Sequence, residues 1–222
     1  IKRVQVPEMT IDTVAHQSDG LANQVEGITI DPEGTIYSLA RDGTVQRVTE
    51  NPTTVTTLWS DPTEIVARGK DMALGRDGTH YVGARNGLGW GNVVAVAPNG
   101  SSHEIVINTT DTRGVSANPF AAGLLVTQWA NTGFHGHVDE LEPLSQTVTP
   151  IPGFDEINYS NGEVWADGDT VQDVEGNIYT CSEDDWQVVR YERSSGLKVR
   201  IGSGYINHPA GLALAESTPG SG

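Results

Sequence analysis

The sequence predicts an all-β fold assembled from repeated four-stranded antiparallel sheets, and three observations carry that prediction. Helical periodicity is nearly absent, because no window keeps apolar residues at i, i+3, i+4 and i+7 for three turns without an intervening Gly or Pro. Short segments rich in Val, Ile, Thr and Tyr fill the chain instead, each bounded by turn residues. A set of four such segments then recurs along the chain.

The first repeat reads GITI at 27–30, TIYSLA at 35–40, TVQRVT at 44–49 and TVTTLW at 54–59, with turns at Asp31-Pro-Glu-Gly34 and Arg41-Asp-Gly43. The second reads DMALGRDGTHYVGAR from Asp71, NVVAVAPNG from Asn92 and SHEIVI from Ser102. The third is degenerate at its start, with SANPFAAGLLVTQWA from Ser116, HVDELEP from His137 and TVTPI from Thr147. The fourth is clear in DTVQDVEGNIYTCSED from Asp169, QVVRYERSSG from Gln187 and LKVRIG from Leu197. A fifth begins as PAGLALAE from Pro209 and meets the C-terminus, while IKRVQV and MTIDTVAHQ at the N-terminus resemble the third and fourth strands of a repeat.

Third strands start near Val4, Val45, Val93, Val138 and Val188. That spacing of roughly 40 to 50 residues is the period of a β-propeller blade. The reading is a single propeller domain over residues 1–222, of five blades with six as the alternative, its ring closed by pairing of strands from the two termini. Such closure removes the unpaired sheet edges that invite association. A β-sandwich is the competing architecture, but it does not need a repeated Asp-x-x-Gly turn before an Ile-Tyr strand.

Composition narrows the function classes. Thirteen Lys and Arg stand against 29 Asp and Glu, a formal charge of −16, and the pI is near 4.5. So acidic a surface repels phosphate backbones and anionic lipid, so neither nucleic acid nor a membrane is the expected partner. A small-molecule substrate or a carbohydrate is expected instead. The single cysteine, Cys181, excludes an internal disulfide and any zinc site needing two sulfurs. No apolar run of 18 residues occurs and the start IKRVQVPEMT lacks a signal-peptide core, although the sequence could begin after a removed leader. The acidic composition and three N-x-S/T tripeptides, at Asn99, Asn108 and Asn158, suit a secreted or periplasmic setting. The sequence carries no signature of oligomeric state.

The segments EGITIDPEGTIYSLARDGTVQRV from Glu26 and DTVQDVEGNIYTCSEDDWQVVRYERSSGLKV from Asp169 resemble blades of the senescence marker protein/gluconolactonase family and of the related NHL-repeat propellers. The resemblance covers most of the chain as a repeat, and it specifies fold far better than function. It implies a calcium-dependent hydrolase of lactones or organophosphates, usually six-bladed, with the metal on the central axis held by a Glu, an Asn and an Asp. Carried over by position, Glu26-Gly27 matches the Glu motif with Ile28 in place of its Pro. Asp167-Gly168 matches the Asp motif, with Asp169 competing for the role. Asn161 in Ser160-Asn161-Gly162 has the letters of the Asn motif, and Asn118, placed at the start of the third repeat's inner strand, is the alternative. Calcium, or another divalent cation, is the implied cofactor.

Aligning the repeats gathers Glu26, Lys70 or Asp71, Asn118 or its neighbours, Gly168 or Asp169, and Ala210 where inner strands start, the usual ligand end of a propeller. Carboxylates with a carboxamide are the hard oxygen donors calcium prefers. Asp169 is then a candidate base or nucleophile, and His208 or Lys70 a group beside the substrate. Asp31, Asp77 and Asp173 sit in turns, where their side chains are expected to accept backbone N–H groups. His135 and His137 in FHGHVDE could share a transition metal with Asp139, but a loop of two solvated histidines is the expectation. Trp59 is expected to pack between blades. Trp90, Trp129 and Trp186 fall at corresponding strand connections, where packing is expected and stacking on a sugar is the alternative. A phosphate loop and a Gly-x-Ser-x-Gly elbow are both absent.

Overall fold

The computed structural model describes residues 1–5, 10–60, 68–85, 91–109, 112–117, 123–130, 135–152, 168–182, 186–202, 206 and 211–213. The chain divides into two compact units, Ile1–Thr112 and Arg113–Gly222. Strands dominate both, and the helical content among the described residues is one 3₁₀ turn, Gln17–Asp19.

In the first unit, β1 (Lys2–Gln5) and β2 (Thr10–Thr13) pair as an antiparallel hairpin, as the N-terminal segments lead one to expect. The first four-stranded sheet runs β3 (Val25–Ile30), β4 (Ile36–Ala40), β5 (Val45–Thr49) and β6 (Thr54–Trp59). The second runs β7 (Arg68–Leu74), β8 (His80–Arg85), β9 (Gly91–Val96) and β10 (Ser102–Thr109). Every pairing is antiparallel and follows chain order, the meander that short Gly-containing turns enforce. Leu39, Val45, Trp59, Met72, Val82, Ala84, Val94 and Val96 form one apolar cluster between the sheets, so Trp59 packs where expected. Burying each large aliphatic there contributes about 1.5–3 kcal/mol. A second cluster joins Val14, Ala15 and Leu21 to Ile36 and Val48, which seats the N-terminal segment on the first sheet. The terminal ammonium of Ile1 donates to Ala15 O at 2.8 Å on the same side.

In the second unit the third sheet runs β11 (Thr112–Ala117), β12 (Leu124–Ala130), β13 (His135–Glu142) and β14 (Thr147–Pro150). The fourth runs β15 (Thr170–Gln172), β16 (Ile178–Ser182), β17 (Gln187–Glu192) and β18 (Leu197–Ile201). Leu125, Val138, Ile151, Ile178 and Tyr191 form the apolar cluster between them. Cys181 is fully buried on β16, its N–H donating to Asp169 O at 3.0 Å.

Two sequence expectations are corrected here. The first strand of the third repeat ends at Ala117 instead of starting at Ser116, because TRGVSA is short and polar and no Asp-x-x-Gly turn marks its end. The second correction concerns His135 and His137, which belong to β13 and not to a loop. The turn aspartates behave as expected. Asp31 Oδ1 accepts Thr35 N at 2.6 Å and its Oδ2 accepts the Tyr37 hydroxyl at 3.2 Å. Asp173 repeats this with Asn177 N at 2.8 Å and Tyr179 at 3.1 Å, and Asp77 accepts Thr79 N at 3.0 Å.

Candidate functional site

Two first strands carry a β-bulge at one register. Val25 pairs with Ala40 and Gly27 with Leu39, so Glu26 is the extra residue on β3. Gly69 pairs with Ala84 and Asp71 with Gly83, so Lys70 is the extra residue on β7. A bulge releases its residue from the ladder and re-aims the side chain. The sequence aligned Glu26 with Lys70 or Asp71, and the register selects Lys70.

Close backbone approach sets these bulges side by side. A Cβ added to Gly27 would lie 3.0 Å from Met72 N and 3.3 Å from Asp71 Cα, and one added to Gly69 would lie 2.7 Å from Ala40 O. Only glycine lets the strands meet this closely. Gly69 N donates to Arg41 O at 2.9 Å, and Arg41 Nε stands 4.0 Å from Glu26 Oε1. Asp71 Oδ1 accepts the next amide, Met72 N, at 2.8 Å. The first unit thus presents two carboxylates and two cations on one rim, with Glu26 exposed and Lys70 and Asp71 half-buried.

The second unit repeats the construction with other side chains. A Cβ on Gly114 would lie 2.8 Å from Gly168 O and 3.0 Å from Asp169 Cα, so Gly114 corresponds to Gly27 and Asp169 to Asp71. Arg113 and Gly168 then occupy the positions of Glu26 and Lys70. Asp169 Oδ1 accepts Thr170 N at 2.7 Å and Oδ2 accepts Leu212 N at 3.0 Å. Both carboxylate oxygens hold backbone, so Asp169 ties the segment around Leu212 to the fourth sheet. Beneath it runs a buried hydroxyl chain, Thr127 Oγ1 to Thr170 Oγ1 at 2.6 Å and Thr170 Oγ1 donating to Thr180 Oγ1 at 2.9 Å.

Of the residues singled out by sequence, Glu26, Lys70 and Asp169 are described, whereas Asn118, Asn161, Asp167 and His208 lie outside the described residues. Glu26 offers the hard oxygen that suits calcium, but among the described residues no three His, Cys, Asp or Glu side chains gather as a metal centre. Sequence reasoning missed Arg41 beside Glu26 in the first unit and Arg113 at the corresponding position of the second. Trp186, expected to pack, is 47% exposed and holds a left-handed backbone with φ 55° before β17. Among the described residues no helix is long and apolar enough to cross a membrane.

Charge states follow local bonding. Burial pushes the Asp31 carboxyl up, but the bonds from Thr35 and Tyr37 outweigh it and leave it below its ordinary 3.8. Asp173 behaves alike through Asn177 and Tyr179, and Asp77 is lowered chiefly by the Thr79 amide. Burial also holds His80 below its ordinary 6.5, opposed by the charge of Asp31. The His80 ring meets Tyr37 at 4.3 Å between centroids.

No protein-family model and no curated protein sequence matches the chain. Solved structures do share its fold. Virginiamycin B lyase from Staphylococcus aureus superposes with TM-score 0.61 at 14% identity, over 90% of this chain and 61% of its own. A gluconolactonase from Xanthomonas campestris gives 0.58 at 13%, over 84% and 63%. The calcium-binding protein regucalcin from Agrobacterium tumefaciens gives 0.57 at 13%, over 78% and 57%. The chain spans about 60% of the length of these proteins, and the likeness defines its class as an all-β fold of four-stranded antiparallel sheets, consistent with a β-propeller.

Proposed function

We propose that this chain is a divalent-cation-dependent hydrolase of the lactonase or esterase type, a five-bladed propeller whose ring is closed by strands from both termini. One observation supports the reading: adjacent first strands of the first unit carry matching bulges whose extra residues are a carboxylate, Glu26, and an ammonium, Lys70. That pairing suits ester chemistry, because Glu26 is an oxygen donor for a cation and Lys70 a counter-charge for a developing carboxylate. Calcium, when bound, would polarise the carbonyl of a lactone and acidify water. Asp167 or Asp169 and Asn118 or Asn161 are the further donors in this reading, and His208 is a second group beside the substrate. The fold likeness to a gluconolactonase and to a calcium-binding protein supports it.

Thermal unfolding with calcium, then with excess chelator, tests it. A ligand that binds only the native state at 100 times its Kd stabilises by about 2.7 kcal/mol. The expected result is a chelator-sensitive rise in Tm that disappears in Glu26→Gln, together with metal-dependent turnover in a screen of lactones. The absence of any shift overturns the calcium reading.

A second reading, a non-catalytic propeller that binds carbohydrate, is supported by Trp186. An exposed indole is a stacking surface for a sugar face. Quenching of Trp fluorescence by oligosaccharide in the wild type, absent in Trp186→Phe, would favour it.

A further inference from the structure

A second polar cluster lies on the third sheet. His137 and Asp139 are two apart on β13, hence on one face, and the register sets Gln128 of β12 opposite His137. Asp139 is 3% exposed and Gln128 is fully buried. His137, with 28% of its side chain exposed, reaches solvent. Gln128 Nε2 donates to Asp139 Oδ2 at 2.6 Å, and His137 Nε2 stands 3.4 Å from the same oxygen. Asp139 Oδ1 and Gln128 Oε1 are both buried with no hydrogen-bond partner.

A carboxylate so enclosed is unfavourable unless its charge is answered, and one amide does not answer it. The separation of 3.4 Å exceeds an N–H···O bond of about 2.7–3.2 Å. It is close to the edge, about 3.3 Å, of a tetrahedron with metal bonds of about 2.0–2.1 Å. Imidazole nitrogen with carboxylate oxygen is a donor set for first-row transition metals, whereas calcium takes oxygen alone.

We propose that His137 and Asp139 bind a divalent first-row transition metal ion such as zinc, with Gln128 holding Asp139 in place. Gln128 Oε1 then accepts from a metal-bound water, which gives the orphaned acceptor its partner. The half-exposed imidazole provides the way in. Nothing in this site draws on Glu26 or on the proposed hydrolase activity.

The test uses the full chain, stripped with chelator and titrated with Co²⁺ alone, followed by d–d absorption and calorimetry, then with Zn²⁺ in competition. The expected result is Co²⁺ uptake displaced by Zn²⁺ and not by excess Ca²⁺, abolished in His137→Ala and Asp139→Asn. Gln128→Met should weaken it about tenfold or more, and Glu26→Gln should leave it unchanged. His137 reaches the surface, so His137→Ala is the deciding variant should Asp139→Asn fail to fold, with near-UV circular dichroism as the check. Uptake unchanged in His137→Ala, or no uptake by the wild type, overturns the proposal.

Discussion

The two units solve one packing problem in different chemistry. Beneath the contact of Gly27 with Asp71, the first unit packs Leu39, Met72 and Val82 in its apolar cluster. Beneath the contact of Gly114 with Asp169, the second unit sets Thr127, Thr170 and Thr180 at corresponding registers. Met72 pairs with Val82 as Thr170 pairs with Thr180, and Leu39 and Thr127 each pair with a Val of the third strand, Val45 and Val138. Both interfaces bury an apolar cluster, and the second adds hydroxyls that bond to one another beneath the close approach. The glycine and its neighbouring backbone are common to both, so the close approach is what the fold demands and the filling beneath it is free to vary.

Four experiments break or sharpen that contrast. Leu39→Ala should have the largest effect, a loss of about 2–5 kcal/mol from a fully buried site. Urea unfolding with an unchanged slope checks it. Gly114→Val should follow at about 1–3 kcal/mol, since the new atoms meet Gly168 O and Asp169 Cα and backbone cannot turn aside. Gly27→Val should match it, which would show that the demand is common to both units. Third, Thr170→Val keeps the shape but strands the buried Thr127 hydroxyl, at a cost of about 1–3 kcal/mol. The smallest change is expected from Thr127→Val, Thr170→Val and Thr180→Val together, because removing all the partners leaves nothing unpaired and is nearly neutral. A triple variant as weak as Thr170→Val alone would sink that account.

Acid sensitivity separates the turns from these interfaces. Asp31, Asp77 and Asp173 titrate below 3.8 when folded, so the unfolded chain binds more protons as pH falls toward that value. Their stabilisation is fully present above about pH 4 to 5 and is lost as pH falls through the folded values. His80 acts earlier: it is held neutral by burial, so its contribution is complete above 6.5 and declines as pH falls below it. Urea midpoints measured from pH 7 down to pH 3 should show both steps, the first missing in His80→Gln and the second reduced in Asp173→Asn.

How much of this was legible depends on how local each feature is. Asp31, Asp77 and Asp173 bond within six residues, and their backbone bonds within four, so turn chemistry alone identifies them. The alternating HVDELE places His137 and Asp139 on one face, but their pairing with Gln128 depends on the register across β12 and β13, which no local pattern states. The first strand of the third sheet is hidden in sequence because TRGVSA carries neither a β-branched run nor a marked turn. Selecting Lys70 over Asp71 as the counterpart of Glu26 required two bulges, each a one-residue slip invisible in spacing.

Cys181 has a consequence for handling the protein. The sole thiol is fully buried on β16, and a thiolate must meet its reagent to react. Its labelling rate in native buffer therefore counts how often the fourth sheet opens, a clock already installed in the chain. With no second cysteine in this sequence to pair with, a disulfide between two copies records an opening event in each.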